Sequence, residues 1–436
     1  MKEFDLKDYL SPQSWGKSDL RGHRLELFDV ARNALQDFKP LTGQHEDAPI
    51  QIIDFFSGAG GTSQSFAAIN KIAPFFKFIG GCDINLVSAT TYSRNYATEV
   101  FNSDIKDLAY TKGKLAKVLR QLGFSRKKPT ILIGCAPCQG FSSHRKKHWS
   151  QGEDARNDLI AAFMEVVRYV NPIAVLMENV PEFLSGRYWA HFAEAKTRWI
   201  EMGYVVKDAI YNAASFGVPQ ERFRSIVLCM KKQFLLPTPI INKGEYRTVR
   251  QAIGSLPPVE AGVACTTDPL HKSARHAEST LAVIRAVPHD GGNRPAGIGP
   301  KCLDKIKGFT DVYGRLYWDR PSITITCCAR NPASGRYTHP EQDRGLTIRE
   351  VATLQSFPPG FIFTGKNDDM FRQIGEAVPP LLSLGVVSSL LLELLSSPPT
   401  KASLDAEPPS VAAPVSNSYS SVIAGMKQKN RKGLSK

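Results

Sequence analysis

Short apolar segments alternate with amphipathic stretches between residues 51 and 230, and this alternation restricts the fold more than any other feature. Segments of four to eight apolar residues bounded by turn residues predict buried strands, and the stretches between them predict helices. Strands that alternate with helices imply right-handed crossovers. The sequence therefore predicts an α/β fold with a doubly wound, mostly parallel sheet. Strands are expected at 51–56, 75–80, just before 100, 130–133, 173–177, 204–211 and 225–230.

The regular alternation fails after residue 235, which suggests a division into regions. Residues 49–235 predict the main α/β domain, after an N-terminal extension at 1–48 with a weakly helical segment. Residues 236–367 predict a smaller, loop-rich domain, because Pro, Gly and basic residues are interspersed there without a period. An apolar helix within 368–395 is expected to return to the main domain. The Pro- and Ser-rich, basic tail at 396–436 is expected to be disordered.

The balance of charged residues favours a polyanionic partner. The chain has 55 Lys and Arg against 41 Asp and Glu, a net charge of +14, although many soluble proteins are mildly basic. Eight scattered cysteines predict free thiols and not a disulfide scaffold. We find no apolar run approaching the roughly 20 residues of a membrane span, and no apolar signal core at the start. These features predict a soluble, cytoplasmic protein.

Candidate ligand-binding residues follow the predicted strands. In a doubly wound sheet, ligands bind beyond the carboxyl ends of the strands. A glycine turn follows the first strand, and Asp83, Asp104, Cys138 and Glu178 follow the next four. A glycine turn with an acidic residue roughly 20 positions later is typical of a ribose-binding site, although the turn alone is a weak signal. No Walker lysine follows, so an adenosyl ligand without phosphates fits better than ATP or NAD.

Two cysteines in the loop after the fourth strand allow several interpretations. Cys135 and Cys138 could form a redox dithiol or half of a zinc site. No second such pair is present, since Cys327 and Cys328 are adjacent in a strand-like run, and no metal site is predicted. Cys138 could instead be a single nucleophile, because cysteine is intrinsically reactive. A buried structural thiol fits Cys135 better than Cys138.

Charged residues on later strands are candidates for acid catalysis and charge stabilisation. Glu178 ends a buried strand, so loss of solvation should raise its pKa towards the range of a general acid. An equally good local explanation is a charge at a helix N-terminus. Arg222 and Arg224 lie on the same side of an extended segment, which alone is most often a solvated strand edge.

Six motifs in a fixed order make the chain resemble the DNA cytosine-5 methyltransferase family. They read DFFSGAGG at 54–61, PCQGFS at 137–142, MENV at 177–180, QERFR at 220–224, RGLTIRE at 344–350 and QIGEAVPP at 373–380. The resemblance spans about residues 52–395. Methyltransferases that act on amino groups carry an Asp/Asn-Pro-Pro-aromatic motif where this chain has Ala-Pro-Cys-Gln. The last motif departs from the family's common Gly-Asn-Ala-Val-Pro-Pro, because Glu376 stands in place of Asn.

The resemblance implies an S-adenosylmethionine-dependent methyltransferase fold, and S-adenosylmethionine as the cofactor. Transfer of its methyl group to C5 of a flipped-out cytosine would involve Cys138 as the nucleophile that attacks C6. Glu178 would act at N3, and Arg224, less directly Arg222, would support the ring oxygen and the thiolate. The implied cofactor-binding residues are Phe56, Gly58, Gly60, Asp83, Ile84, Asp104, Pro137, Glu376 and Ala377.

The resemblance also implies duplex DNA as the partner, with residues 236–345 as the variable target-recognition region. The basic loop after Cys138 is positioned to reach phosphates. The expected DNA-binding residues are Gln139, Ser142, Arg145, Lys146, Lys147, Gln220 and Arg330. We expect a monomer without a membrane partner, associated with the nucleoid if it is bacterial, and a cognate restriction endonuclease is a candidate partner.

Two rival functions share these motifs. The same chemistry on RNA is the nearest, because one branch of the family acts on tRNA, but the sizeable region before Arg320 favours DNA. A DNA-binding protein without catalysis is the other. Retention of Cys138, Glu178 and both arginines argues against it.

Overall fold

The computed structural model describes residues 4–137, 154–185, 189–304 and 311–410. These residues form one seven-stranded sheet in the order β3-β2-β1-β4-β5-β7-β6. Neighbouring strands from β3 to β5 are parallel, whereas β7 is antiparallel to both β5 and β6. The strands are β1 (Ile50–Phe55), β2 (Phe76–Asp83), β3 (Val100–Asn102), β4 (Thr130–Gly134), β5 (Ala174–Asn179), β6 (Val205–Asn212) and β7 (Phe223–Met230).

Thirteen α-helices occur in the described part of the chain, and eight of them belong with the sheet or its N-terminal cover. These are α1 (Arg24–Gln36), α2 (Ser63–Asn70), α3 (Leu86–Tyr96), α4 (Ile105–Tyr110), α5 (Lys114–Gln121), α6 (Asp154–Val170), α7 (Trp189–Glu201) and α12 (Pro380–Leu395). The others are α8 (Val249–Ile253), α9 (Glu278–Ala286), α10 (Ile348–Leu354), α11 (Asn367–Glu376) and α13 (Lys401–Asp405).

Helices cover both faces of the sheet because successive strand residues point to opposite faces. Ile52 on β1 belongs to the apolar core beneath α1, α2 and α12, whereas the next residue, Ile53, belongs to the core beneath α4 to α7. All six residues of β1 are buried, and so are all residues of β4 and β5. The structure confirms the predicted α/β class, with a sheet that is mostly parallel.

Most predicted elements are present within a few residues of their expected ends. Two short helices, α4 and α5, occupy the stretch between β3 and β4. The expectation of a disordered tail from residue 396 is wrong for its first part. Helix α13 is ordered, and Glu407 beyond it pairs with Lys207 on β6. Residues 411–436 lie outside the described part of the chain.

The region after β7 has few regular elements, and buried arginines organise much of it. The side chain of Arg315 is fully buried and donates hydrogen bonds to the carbonyls of Val287, Ile284 and His339. Arg344 pairs with the buried carboxylate of Glu350 at 2.7 Å. In this region, hydrogen bonds from charged side chains to backbone carbonyls take the place of the backbone hydrogen bonds of a sheet. The sequence therefore shows no apolar period here.

Helix α12 is mostly apolar and is buried on all sides, because other elements surround it. By length and composition alone, residues 367–395 are apolar enough to cross a membrane, although we expected no such segment in the chain. The most apolar 18 residues of this segment are, however, entirely buried inside the protein. Helices α1 and α2 pack against α12, and its Glu393 pairs with Arg21 at 2.6 Å. A helix that is hydrophobic all round and enclosed in this way is a core helix.

Candidate active site

The predicted cofactor residues lie at the carboxyl edge of the sheet, around the turn that follows β1. Gly58 and Gly60 have positive φ angles of 52° and 89°, and Phe56 also has a positive φ of 57°. A side chain on Gly60 would come within 2.3 Å of the Tyr96 ring, so only glycine fits there. A Cβ on Gly58 would meet nothing within 4 Å. The backbone at Gly58 therefore faces open space that a ligand can occupy.

Asp83 closes this turn from the end of β2. Its Oδ2 accepts a hydrogen bond from the Gly58 N–H at 2.7 Å, and its Oδ1 accepts one from the Asn85 N–H at 2.7 Å. A carboxylate has about four acceptor sites, so capacity for ribose hydroxyls remains. The neighbouring Ile84 is 73% exposed, which is unusual for isoleucine. Asp104 caps α4 by accepting from the Lys106 N–H at 2.8 Å.

A buried polar network beneath the turn was missed by the sequence analysis. Ser63 donates a hydrogen bond to Asp54 at 2.8 Å and contacts the Tyr92 hydroxyl at 2.9 Å, and Tyr96 donates to the Gly60 carbonyl at 2.5 Å. Burial raises the pKa of Asp54 to about 7. The i, i+4 spacing of the two tyrosines on α3 was the available signal, but it is equally typical of an apolar helix face.

Glu178 and Arg224 form an ion pair where β5 and β7 run side by side. Arg224 Nε lies 2.8 Å from Glu178 Oε1, and both side chains are largely buried, with 13% and 9% exposed. Burial raises the pKa of Glu178, and the positive charges of Arg224 and Arg222 oppose that rise. The two predicted catalytic side chains are thus brought together, although they are 46 positions apart.

Arg222 and Gln220 form their hydrogen bonds with segments that pack on the sheet. Arg222 is 2% exposed and donates to the carbonyls of Ile325, Gly375 and Ala377 at 2.8 to 3.2 Å. Gln220 is fully buried and accepts from the Ile325 N–H at 2.8 Å. In the absence of DNA, Gln220 is held against Ser322 and Ile325, and its contact with DNA stays a prediction. Both side chains join the sheet to the segments that pack on it.

Cys135 lies in an environment that suppresses thiolate formation. Burial and then the carboxylates of Glu178 and Asp54 raise its thiol pKa well above the ordinary value. Its Sγ lies 3.6 Å from the Thr62 hydroxyl. Pro137, the last described residue before the predicted nucleophile, is exposed. The predictions for Cys138, Gln139, Ser142, Arg145, Lys146 and Lys147 fall outside the described residues.

The remaining predicted residues lie at the junction with the second region. Glu376 is exposed and Ala377 is partly buried, next to the carbonyls that Arg222 binds. Arg330, predicted to contact DNA, is exposed and pairs with Asp368 at 3.0 Å. Its guanidinium is therefore accessible from solvent.

Comparison with known proteins identifies the family. The model of the C-5 cytosine-specific DNA methylase domain matches residues 50–391. The chain belongs to this family. It is 34% identical over 340 residues to the type II methyltransferase M1.HphI of Haemophilus parahaemolyticus, covering 78% of this chain and 86% of that protein. It is 31% identical over 353 residues to the type II methylase M.HgiDII of Herpetosiphon aurantiacus, covering 78% and 94%.

These similarities identify a DNA cytosine-5 methyltransferase, whose family and fold imply use of S-adenosylmethionine. Among solved structures, a putative DNA modification methyltransferase encoded within an Escherichia coli prophage superposes with a TM-score of 0.60 at 20% identity. The superposition covers 79% of this chain and 99% of that one. At that identity, the likeness supports the fold.

Proposed function

We propose that the protein methylates C5 of a flipped-out cytosine within a specific duplex DNA sequence, through a covalent bond between Cys138 Sγ and C6 of the base. The observation that carries the proposal is the buried Glu178–Arg224 pair. It lies at the ends of β5 and β7, next to the end of β4, from which the chain continues to Cys138. The pair combines a proton donor with a cation, which is what an attacked pyrimidine ring requires.

The described residues fit S-adenosylmethionine. Gly58 leaves open space above the turn, Asp83 keeps acceptor capacity for ribose hydroxyls, and Ile84 offers an exposed apolar surface for adenine. Asp104 and Pro137 border the same edge, with Glu376 and Ala377 as further candidates. When bound, S-adenosylmethionine supplies an electrophilic methyl group on a sulfonium.

The residues of this chain solve the problem that C5 of cytosine is a poor nucleophile. The Cys138 thiolate forms a bond to C6, and the electrons of the C5–C6 double bond make C5 nucleophilic. Glu178 protonates or hydrogen-bonds N3 so that negative charge does not accumulate, and Arg224 supports the ring oxygen. Arg222 acts as a positioning residue through its contacts with Gly375 and Ala377. Loss of the C5 proton and departure of Sγ then restore the ring.

The target atoms lie inside the duplex, so the base must leave the stack at a cost of a few kcal/mol. Arg145, Lys146 and Lys147 follow the nucleophile in sequence and are proposed to contact phosphates. Arg330 is proposed as a contact from the second region. A cytoplasmic protein that acts beside a companion restriction endonuclease would follow from the type II relatives.

A pair of cysteine variants tests the covalent step. Cys138→Ala should abolish transfer of labelled methyl groups from S-adenosylmethionine to duplex DNA, whereas Cys135→Ala should retain it, because Cys135 is held as a thiol. DNA with 5-fluorocytosine at the target should form an adduct that survives denaturation, since fluorine blocks the final loss of a proton. Equal inactivation of both variants would refute a single nucleophile.

The choice between DNA and RNA needs a separate experiment. The gene is expressed in a bacterium that lacks cytosine methylation, and its DNA and tRNA are both sequenced after bisulfite treatment. We expect 5-methylcytosine in DNA at one sequence context. Methylation confined to tRNA would reject the proposed substrate and favour the RNA alternative.

A further inference from the structure

Cys327 and Cys328 form an exposed pair of neighbouring thiols to which the methyl-transfer reaction assigns no role. Both are free cysteines, and their Sγ atoms lie 3.8 Å apart in hydrogen-bond contact. Burial, the neighbouring sulfur and the carboxylate of Glu376 raise the pKa of the Cys327 thiol to about 11. Both sulfurs are accessible from solvent, and Cys327 is a thiol at neutral pH.

The backbone that carries the two thiols is fixed by several hydrogen bonds. The Ala329 N–H donates to the Thr326 carbonyl at 3.0 Å, and the Cys328 N–H donates to the Thr326 hydroxyl at 3.3 Å. The Cys328 carbonyl accepts from the Ser334 hydroxyl at 2.7 Å. The two sulfurs are thus held side by side before any ligand arrives, which lowers the entropy cost of chelation.

A cavity of about 340 Å³ lies against the two sulfurs. Two ion pairs line it, Arg330 with Asp368 at 3.0 Å and Arg372 with Asp369 at 2.9 Å. Because each of these cations faces a carboxylate, the wall favours an uncharged ligand. A cavity of about 150 Å³ is sufficient for benzene in other proteins. The space accommodates a phenyl-sized group attached to the sulfurs.

A disulfide between these thiols is disfavoured by the covalent chain. Consecutive Cα atoms are about 3.8 Å apart, whereas disulfides need roughly 4.4–6.8 Å. A ligand atom that bonds to both sulfurs and leaves them unjoined does not require that rearrangement. Soft, thiophilic centres prefer such thiol ligands.

We propose that Cys327 and Cys328 form a chelating site for monosubstituted trivalent arsenicals. The arsenoso group, R–As=O, reacts with both thiols. Two S–As bonds form, the arsenic–oxygen bond breaks, and the oxygen leaves as water with the two thiol protons. Arsenic stays trivalent, so the reaction needs no oxidant or reductant.

Occupation of the site should weaken DNA binding, an extension that rests on the proposed function. Arg330, the proposed DNA contact, lines the same cavity. Cys327 also packs tightly on the last motif, since a Cβ on Gly375 would lie 2.2 Å from the Cys327 nitrogen. Arg222 binds both the Ile325 carbonyl, two residues before Cys327, and the Gly375 carbonyl. A group attached to the sulfurs would stand directly beside these junction residues.

Intact-protein mass spectrometry with phenylarsine oxide tests the site. The full chain should gain one phenylarsenic group that resists excess 2-mercaptoethanol and is removed by 2,3-dimercaptopropanol. Cys327→Ser and Cys328→Ser should each lose this resistant adduct. Cys135→Ala is the matched control, because it removes one member of the other cysteine pair that is close in sequence, and it should keep the adduct. A resistant adduct that persists in Cys328→Ser, or disappears in Cys135→Ala, would overturn the proposal.

The effect on DNA is measured by fluorescence anisotropy with a labelled duplex that contains the target site. The arsenical should weaken the affinity by about tenfold, the scale of one arginine contact, and the dithiol should restore it. Cys328→Ser should be insensitive. Unchanged affinity despite a stoichiometric adduct would reject the link to DNA. Failure of the untreated protein to bind DNA would instead contradict the proposed function, while the mass result would still report on the site.

Discussion

In the proposed mechanism, Glu178 has the most demanding role of any single residue, because a carboxyl that acts as an acid must hold its proton near neutral pH. Burial raises its pKa, and Arg224 at 2.8 Å limits the rise. Glu178→Gln keeps the shape and a hydrogen-bond donor but removes the acidic proton. We expect kcat for methylation to fall by roughly 10²–10⁴-fold, with cofactor affinity retained.

The pH profile separates this role from a structural one. With protonated Glu178 as the active form, wild-type kcat should decline as pH rises through the raised pKa of Glu178, and the residual activity of the Gln variant should lack that decline. Glu182→Gln is a matched control, since Glu182 lies just beyond β5 and its pKa is also raised by burial. An identical pH profile for wild type and Glu178→Gln would contradict the assignment.

Asp54 makes a second pH-dependent contribution, this time to stability. Its pKa is about 7 in the folded protein against an ordinary value of 3.8, so the buried carboxyl is neutral in weak acid. A raised pKa means that its stabilising contribution is full below about pH 4 and is lost as pH rises through 7. The free energy of unfolding should fall between pH 5 and 8 by at most about 3 kcal/mol more in wild type than in Asp54→Asn.

Chemical denaturation at several pH values measures this difference. Asparagine can still accept the hydrogen bond from Ser63, so the variant changes the charge and not the shape of the network. Parallel pH dependences for the two proteins would show that Asp54 is not the titrating group.

At the residue scale, the sequence could predict that Glu178 and Arg224 belong to the candidate site. It could not predict which residues the side chains of Gln220 and Arg222 contact. A period of two puts Gln220, Arg222 and Arg224 on one side of a straight strand. Strand β7 begins only at Phe223, and Gln220 forms an isolated bridge with Ser322. Both of the first two side chains therefore bind Ile325 in the second region, a partner that is 103 and 105 positions away in sequence.

Arg222 acts at the scale of elements, because its guanidinium joins the start of β7 to α11 and to the segment at Ile325. Arg222→Met preserves much of the apolar stem but leaves two buried carbonyls and one partly buried carbonyl without this donor. We expect a loss of about 1–3 kcal/mol in the free energy of unfolding.

Arg330→Met is the control, since Arg330 is exposed and should change stability by less than about 0.5 kcal/mol. Urea denaturation of both variants without DNA makes the comparison independent of catalysis. Equal stabilities would show that Arg222 does not hold the junction.

Elements of the sheet were predictable because buried strands are continuous apolar runs, as in β4. Helix α4 was missed because its six residues span less than two turns and show no clear period. Most of the second region escaped prediction for a different reason. Its order depends on side chains such as Arg315, which bind distant backbone carbonyls, and such contacts have no local signature.

At the scale of the whole molecule, the N-terminal residues pack against the end of α12, and the chain that follows α12 packs on the sheet. The Gly16 N–H donates to the Leu395 carbonyl at 2.7 Å, and Arg21 pairs with Glu393. Segment 397–410, which follows α12, packs along β6. The N-terminal residues, which the sequence left without a role, thus help to bury an apolar helix that would otherwise face water.

Segment 397–410 should therefore contribute to stability despite its polar composition. Glu407 accepts from the Leu236 N–H at 2.5 Å and pairs with Lys207. Ser410 donates a hydrogen bond to the buried carboxylate of Asp208 at 2.6 Å. The same carboxylate also pairs with Lys196 at 3.2 Å. A chain ending at 399 should be less stable than one ending at 410 by about 1–3 kcal/mol, because these partly buried groups lose their partners.

Thermal unfolding of the two truncated chains measures the difference, and Glu407→Gln in the longer chain separates charge from packing. We expect Glu407→Gln to lower the melting temperature by part of the truncation effect, since the amide can still accept from Leu236 but no longer carries the charge that attracts Lys207. Identical melting temperatures for the chains ending at 399 and 410 would show that this segment does not stabilise the protein, as expected for the disordered tail that its composition predicts. A large effect would show that β6, the antiparallel edge of the sheet, depends on residues beyond the matched methylase domain.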